Sequence, residues 1–339
     1  MESHTSFFYP LYMNGDGYYV INAYYKIGEK LKNTIRINDE FFQKRREILR
    51  ENEMMEMIRS MNLESYGRFM VNGIKNQLKS EELKKTKIMG IVNLTPDSFY
   101  SNSRFTYKDS DLAIKSGADI LDIGGESTRP GSTELDPETE ISRLNVFLQD
   151  LRSKFKGMVS LDSRHYDVVR TLLPYIDIIN DVSGLADDRI ANLAIEHDLK
   201  YVLMHIKGEV NKMTEYEHYE DLPGEVSKFF IDGLKKLHGM GMKPENIIID
   251  PGLGFSKNAQ HDYFLVKNVN VFSFGFPRLV GHSRKRFLGA ITGSKIEDRL
   301  PETLALSLFL NLKNIEILRV HDVSENIRFL EEYRFLSQT

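Results

Sequence analysis

The sequence has no cysteine among its 339 residues. Disulfides, thiolate zinc sites, iron–sulfur clusters and a cysteine nucleophile are therefore excluded, and the chemistry must come from oxygen and nitrogen groups. Charge of one sign is not in excess either. Forty-five Lys and Arg stand against 49 Asp and Glu, a formal net charge of -4, so no global basic field exists to hold a nucleic acid. A local anion site remains compatible with that balance. No apolar run approaches the ~18–20 residues of a membrane span. The opening MESHTSFFYPLY lacks the basic-then-apolar order of a signal peptide, which makes the cytoplasm the expected address. Missing too is a Gly-x-Gly-x-x-Gly after any apolar run, the phosphate fingerprint of dinucleotide-binding folds.

What is present suffices for a packed core: 41% of residues are hydrophobic, which argues against global disorder. Residues 1–85 and 86–339 read differently. The first part opens with an aromatic, Gly-punctuated stretch from Phe7 to Tyr25 with the pattern of a short hairpin. INDEFFQKRREILRENEMMEMIRSM follows, where Phe41, Phe42, Ile48, Leu49, Met55 and Ile58 recur at helical spacing and predict an amphipathic helix. The polar stretch from Lys79 to Lys87 reads as a connection. This N-terminal extension receives no function, and a chain beginning near Glu82 is expected to fold without it.

From Lys87 onward a short apolar run, a turn and a longer charged segment repeat. The apolar runs are Ile88–Val92, Ala118–Ile123, Met158–Leu161, Tyr175–Ile179, Tyr201–Met204, Ile247–Ile249, Arg278–Val280 and Glu316–Val320. Helical segments accompany them, clearest at Pro137–Leu151, Arg189–His197, Glu225–His238, Pro301–Leu312 and Val323–Tyr333. Continuous apolar strands alternating with helices indicate parallel strands covered on both faces. Eight such units match an α/β fold of the (β/α)8 TIM-barrel kind, a doubly wound open sheet being the alternative.

In such a barrel the site forms at the C-terminal ends of the strands. The residues there are Asn93, Asp122, Asp162 with Ser163, Asn180 with Asp181, His205, Asp250, Ser283 with Arg284 and Lys285, and Arg319 with His321. Taken singly, an Asp, Asn or Ser at these turns reads equally as a helix cap, and His205 as a hydrogen-bonded structural histidine. Their distribution is more telling. Asp162, Asn180 and Asp250 place acceptors on one side, and Arg284, Lys285, Arg319 and His321 place cations on the other. A heterocycle rich in N–H donors that carries a phosphate or pyrophosphate satisfies both sides.

The segments IMGIVNLTPDSF, GADILDIGGESTRPGS, VSLDS, IINDVSG, VLMHIKG, IIIDPGLGFSKN, LVGHSRK and LRVHDV resemble, in order, those of dihydropteroate synthases, over about residues 86–335. The resemblance implies condensation of 6-hydroxymethyl-7,8-dihydropterin pyrophosphate with 4-aminobenzoate, with Mg2+, in a homodimer. It implies that Asp162, Asn180, Asp250 and Lys285 hold the pterin edge, with Met204 against the ring. Asn93, Arg319 and His321 would hold the pyrophosphate, Asn93 also meeting the metal. Thr128 and Arg129 would lie on a loop that closes with the loop around Asn93. Phe255, Ser283 and Lys285 would shape the aminobenzoate site. The catalytic candidates are thus Asn93, Thr128, Arg129, Lys285, Arg319 and His321.

Three departures stand out. Tyr100–Ser103 replaces the family's Ser-Asp-Gly-Gly, which predicts reduced turnover. Ser163 replaces Thr, and Glu302 replaces a Gly on a helix that contributes to the family's dimer. A pterin-dependent methyltransferase, a related pterin–arylamine condensing enzyme or a non-catalytic pterin-binding paralogue are the alternatives. The cations suit a leaving group and a carboxylate, which neither methyl transfer nor simple pterin binding requires.

Overall fold

The computed structural model describes residues 4–14, 17–26, 47–49, 55–56, 58–59, 61–78, 85–94, 104–126 and 135–338. Eight parallel strands follow one another around a nearly closed barrel: β4 (Lys87–Asn93), β5 (Ile120–Gly124), β6 (Met158–Asp162), β7 (Ile178–Asp181), β8 (Lys200–Met204), β9 (Ile247–Asp250), β10 (Leu279–Gly281) and β11 (Ile317–Val320). Each overlaps one apolar run of the sequence. The seam between β9 and β10 is the thinnest join, a single parallel bridge from Ile249 to Arg278 with Ile249 N–H donating to the Pro277 carbonyl at 2.9 Å. Arg278 reinforces it from beside: its buried guanidinium pairs with Glu316 and donates to the Asn314 carbonyl at 2.7 Å.

Strand side chains alternate between faces, so parity decides what fills the barrel. Met89, Ile120, Met158, Ile178, Val202, Ile248, Leu279 and Ile317, one from every strand, form a separate apolar tier inside it. The opposite-parity neighbours, among them Ile88, Leu121, Val159, Ile179, Leu203, Val280 and Leu318, join the larger cluster under the helices. Those helices are α2 (Arg104–Lys115), α3 (Pro137–Lys154), α4 (Tyr166–Leu172), α5 (Asp188–Glu196), α6 (Leu222–Gly239), α7 (Ala259–Lys267), the short α8 (Gly289–Thr292), α9 (Leu300–Leu312) and α10 (Val323–Gln338). Local chemistry starts them: Asp136 caps α3 by accepting from Thr139 N–H, with Pro137 in the first turn, where its missing N–H costs nothing.

The N-terminal part departs from expectation in one place. The hairpin is present as β1 (His4–Asn14) and β2 (Gly17–Lys26), antiparallel with a register shift between Pro10 and Tyr12. Within the predicted amphipathic helix, however, Glu47–Leu49 forms a third strand, β3, paired to Tyr18–Val20 of β2. A free sheet edge offers the backbone ready partners and overrides a weak helical preference. Ahead of the connection, Glu64–Leu78 forms α1. Ile58, Leu63, Tyr66, Met70, Val71 and Ile74 all join the cluster beneath the barrel's helices. Tyr66 Oη donates to the Met242 carbonyl at 2.6 Å, and Ser273 Oγ donates to Gln77 Oε1 at 2.9 Å. α1 crosses the 274–276 turn at backbone contact, because a Cβ at Gly73 would stand 1.8 Å from the Gly275 carbonyl oxygen. The helix thereby covers the chain leading into the β9 and β10 seam, at the end of the barrel opposite the strand C-termini.

Candidate active site

Two residues beyond the apolar tier, on the same inward parity, stand Ile91, Asp122, Ser160, Asn180, Met204, Asp250, Gly281 and Arg319. The barrel interior thus turns from hydrocarbon to polar in one step on five of the eight strands, those carrying Asp122, Ser160, Asn180, Asp250 and Arg319. Arg319 is the hub of this second tier. Its Nε donates to Asp122 Oδ2 and one terminal nitrogen to Asp162 Oδ2, each at 2.6 Å. Asn180 Nδ2 donates to the same Asp122 oxygen at 3.1 Å. Burial pulls on the guanidinium, but Asp122 and Asp162 keep it above its ordinary value. Burial pushes the Asp162 carboxyl up to about 7, with Asp122 and Glu140 adding to the rise and Arg319 opposing it.

Three carboxylate or amide acceptors, two in this tier and one at Asp162 a step beyond it on β6, are left over, as is Ser160 Oγ. Asp122 Oδ1, Asp162 Oδ1 and Asn180 Oδ1 are buried without a hydrogen-bond partner among the described residues. Leaving such groups unmet costs about 1–3 kcal/mol each, so they are poised for a ligand that brings donors. Asp250 is buried beside them, its Oδ1 accepting from Gly252 N–H at 2.8 Å and its carboxyl raised by burial. Met204 packs with Val182, Ile206 and Met213, and Phe255 lies against that apolar patch.

A cavity of about 790 Å3 opens above the tier, lined by Asn93, Asp162, Phe255, Ser283, Lys285, Arg319 and His321 among others. Lys285 Nζ donates to the Leu253 carbonyl and lies 4.6 Å from the Phe255 ring centre. Burial lowers the Lys285 ammonium to about 8, while Asp250 and Asp262 hold it up. Ser283 Oγ accepts from His321 N–H at 3.2 Å and lies 3.1 Å from His321 Nδ1. Arg284, one of the cations at the mouth, is spent on a two-pronged pair with Asp322 at 2.7 and 2.8 Å. The structure thus brings together Asn93, Asp162, Asn180, Met204, Asp250, Phe255, Ser283, Lys285, Arg319 and His321. Thr128, Arg129 and the altered segment Tyr100–Ser103 lie outside the described residues. His205 is buried, edge-on to Phe229, and burial lowers its imidazole well below the usual value; its Nδ1 has no hydrogen-bond partner among the described residues, so the expected hydrogen bond through that atom is absent there.

Some participants went without a role in the sequence reading. Asp122 stands in the ring of strand ends, yet only parity with Asn180 and Arg319 reveals that it anchors both. Glu126 lines the cavity and is gripped by Arg164 at 3.2 and 3.3 Å. Although burial opposes it, the bonds from His165 and Arg164 pull its carboxyl down to about 2. Glu217 and Arg286 meet at 2.6 Å on the outer lining, from segments distant in sequence.

Comparison with known proteins agrees with this architecture. The family model described as pterin binding enzyme matches residues 89–321. The dihydropteroate synthase of Escherichia coli K12 is 34% identical over 255 residues, 73% of this chain and 90% of the relative. A Xanthomonas albilineans dihydropteroate synthase solved with 4-aminobenzoic acid superposes with a TM-score of 0.70 at 31% identity, covering 76% of this chain and 95% of that one. The Clostridium difficile dihydropteroate synthase solved in the presence of pteroic acid gives 0.69 at 30% identity, covering 76% and 99%. With a shared barrel, a shared order of motifs and identity above 30% over three quarters of its length, the chain belongs to the dihydropteroate synthase family of pterin-binding enzymes.

Proposed function

We propose that the chain joins 4-aminobenzoate to 6-hydroxymethyl-7,8-dihydropterin pyrophosphate, giving 7,8-dihydropteroate, pyrophosphate and a proton. The observation that carries this reading is the tier of open acceptors at Asp122, Asp162 and Asn180, set beneath a rim of cations. Ring N–H and amino donors meet the acceptors, and a site built on such bonds rejects rings that lack them. Met204 supplies the apolar surface for the ring face. Arg319 and His321, with the Ser283 hydroxyl behind the imidazole, receive the pyrophosphate as its bond to the methylene breaks. Phe255 and Lys285 form the wall and the charge for the arylamine. Its nitrogen then attacks the methylene, the C–O bond yields its electrons to pyrophosphate, and the nitrogen releases a proton. No protein nucleophile is needed. Thr128 and Arg129 are assigned to the same step by family likeness alone.

A Mg2+ ion fits the residues present in a limited way. Among the described residues no group of three or more His, Asp or Glu could cage a metal, which suits an ion held mainly by water and substrate phosphate. The exposed Asn93 at the end of β4 offers one amide oxygen beside Gly124. When bound, Mg2+ would neutralise charge on the departing pyrophosphate.

Residues 86–339 would constitute the catalytic unit and residues 1–85 an extension of it. No helix among the described residues is long and apolar enough to cross a membrane, and the proposed location is the cytoplasm. Exposed Phe309 and Leu312 on α9, beside α10 with exposed Phe335 and Leu336, form the apolar surface proposed for a homodimer. The deciding experiment is pyrophosphate release from purified protein with both substrates, with and without Mg2+. Release that depends on 4-aminobenzoate and yields dihydropteroate supports the reading, whereas pterin binding without release overturns it.

A further inference from the structure

The segment from Asp250 to Asn258 supplies Gly254 and Phe255 to the cavity lining and Asp250 to the buried tier, but its lysine has no part in the reaction above. Lys257 is only 1% exposed. A buried ammonium is costly unless every donor is met. Here Nζ donates to three main-chain carbonyls, those of Phe255 at 2.8 Å, Gly252 at 2.9 Å and His205 at 3.3 Å. They come from two loops: His205 follows β8, while Gly252 and Phe255 follow β9. Without the ammonium, three carbonyl dipoles would converge on one point and repel.

The loops approach closely only because position 252 is glycine, at φ 62°, where a Cβ would stand 2.0 Å from the His205 oxygen. Two further bonds fix the segment: Ser256 Oγ donates to the Lys207 carbonyl at 2.6 Å, and Gly254 N–H to Asp262 Oδ1 at 2.8 Å. Burial lowers the Lys257 ammonium to about 7, while Asp262, buried in the first turn of α7, and Asp250 hold it up. The backbone of Phe255 is thereby immobilised, while its ring faces the cavity and carries Lys285 Nζ above it.

We propose that Lys257 is a positioning residue for the arylamine half of the site: by gathering the His205, Gly252 and Phe255 carbonyls onto one ammonium, it sets the Phe255 ring and, through that ring, Lys285. The inference rests on the condensation reading. Lys257 lines no part of the cavity and acts through Phe255. The principal pterin groups, Asp122, Asp162, Asn180 and Arg319, sit on β5, β6, β7 and β11, outside the Asp250–Asn258 segment, and the two halves meet at Asp250 and Lys285.

The test compares full-length Lys257→Met, Lys257→Arg, Phe255→Ala and the Met/Ala double variant. Lys257→Met should raise the KM for 4-aminobenzoate roughly tenfold, the scale of one lost charged hydrogen bond. kcat and the pterin dissociation constant should stay within about threefold, and Lys257→Arg should fall between wild type and Lys257→Met. The double variant should bind arylamine no worse than the weaker single variant, since both changes remove one wall. Unchanged KM beside a lowered melting temperature, equal losses for pterin and arylamine, or additive single effects would each overturn the proposal. Should Lys257→Met fail to fold, Lys257→Arg with and without Phe255→Ala carries the same comparison. Calorimetry of 4-aminobenzoate binding to the chain loaded with pterin and pyrophosphate reads the same affinity ratios without turnover. A wild type that binds both ligands but releases no pyrophosphate therefore overturns the reaction while leaving the Lys257 comparison decisive.

Discussion

Asp162 and Lys285 titrate on opposite sides of a narrow window, because burial pushes the carboxyl up to about 7 and the ammonium down to about 8. Below that window Asp162 is protonated and no longer offers a charged acceptor to a ring N–H; above it Lys285 loses its charge. kcat/KM for the pterin substrate should therefore rise through about pH 7, and kcat/KM for 4-aminobenzoate should fall through about pH 8. Asp162→Asn should remove the acid limb and weaken pterin binding by about 1.5–3 kcal/mol, tenfold to over a hundredfold in calorimetry. An acid limb that persists in this variant would assign it to another group.

Glu140 illustrates the opposite use of a buried acid. It is 0% exposed on α3, and neither carboxylate oxygen completes a hydrogen bond, although the Ser163 hydroxyl lies alongside. Burial pushes its carboxyl up to about 7, with Ser163 opposing and Glu126 adding to the rise. A group raised on folding gives its full stability below the unfolded value and loses it as pH climbs through the folded one. Glu140→Gln should therefore leave the melting temperature at pH 5 nearly unchanged and raise it at pH 8, by up to roughly 3 kcal/mol of stability. Melting curves at the two pH values check the sign.

At the scale of elements, α1 decides how the N-terminal part relates to the barrel. Seven of its region's side chains, from Ile58 to Ile74, are buried against the barrel's own cluster. At ~1.5–3 kcal/mol per apolar side chain their burial is worth roughly 10 kcal/mol, comparable to a domain's whole stability. Removal of residues 1–49 should leave a cooperatively folding protein, whereas removal of residues 1–81 should expose Phe274, Phe276 and Met242 and yield insoluble or unfolded chain. Circular dichroism and thermal melts of the two truncations separate these outcomes, and a soluble, cooperative 82–339 protein would show that the barrel closes without α1.

The same element marks where sequence reading stops. The barrel was legible because each strand is a short apolar run closed by a polar residue, a local pattern repeated eight times. Asp162, Asn180, Asp250 and Arg319 were legible as strand ends. Asp122 and Lys257 were not assigned roles, because an anchoring carboxylate and a lysine turned inward onto carbonyls differ from solvated ones only in their surroundings. Glu47–Leu49 deceived for a related reason: three consecutive residues inside a helically spaced apolar pattern became a strand once a paired edge was at hand.

For the molecule as a whole, the uncovered surface of α9 and α10 predicts assembly. Phe309 and Leu312 of α9 and Phe335 and Leu336 of α10 are exposed on two helices that pack together, and Glu302 in the first turn of α9 accepts from Thr292 Oγ1 at 2.6 Å. Light scattering should give a dimer mass for the wild type. Phe309→Glu should shift it to a monomer while the fold is retained, because a charge cannot be buried there without a partner. A wild-type monomer at micromolar concentration would overturn the dimer.

The long-range bond from Tyr66 to Met242 spans 176 residues. A chain emerging from the ribosome therefore carries the apolar face of α1 for most of its synthesis before the 242–276 segment exists to receive it. At ~5–20 residues per second that interval is roughly 10–40 s. Through that time the helix is a target for holding chaperones, and it comes to rest only once the segment around β9, the sixth stave of the barrel, has been made.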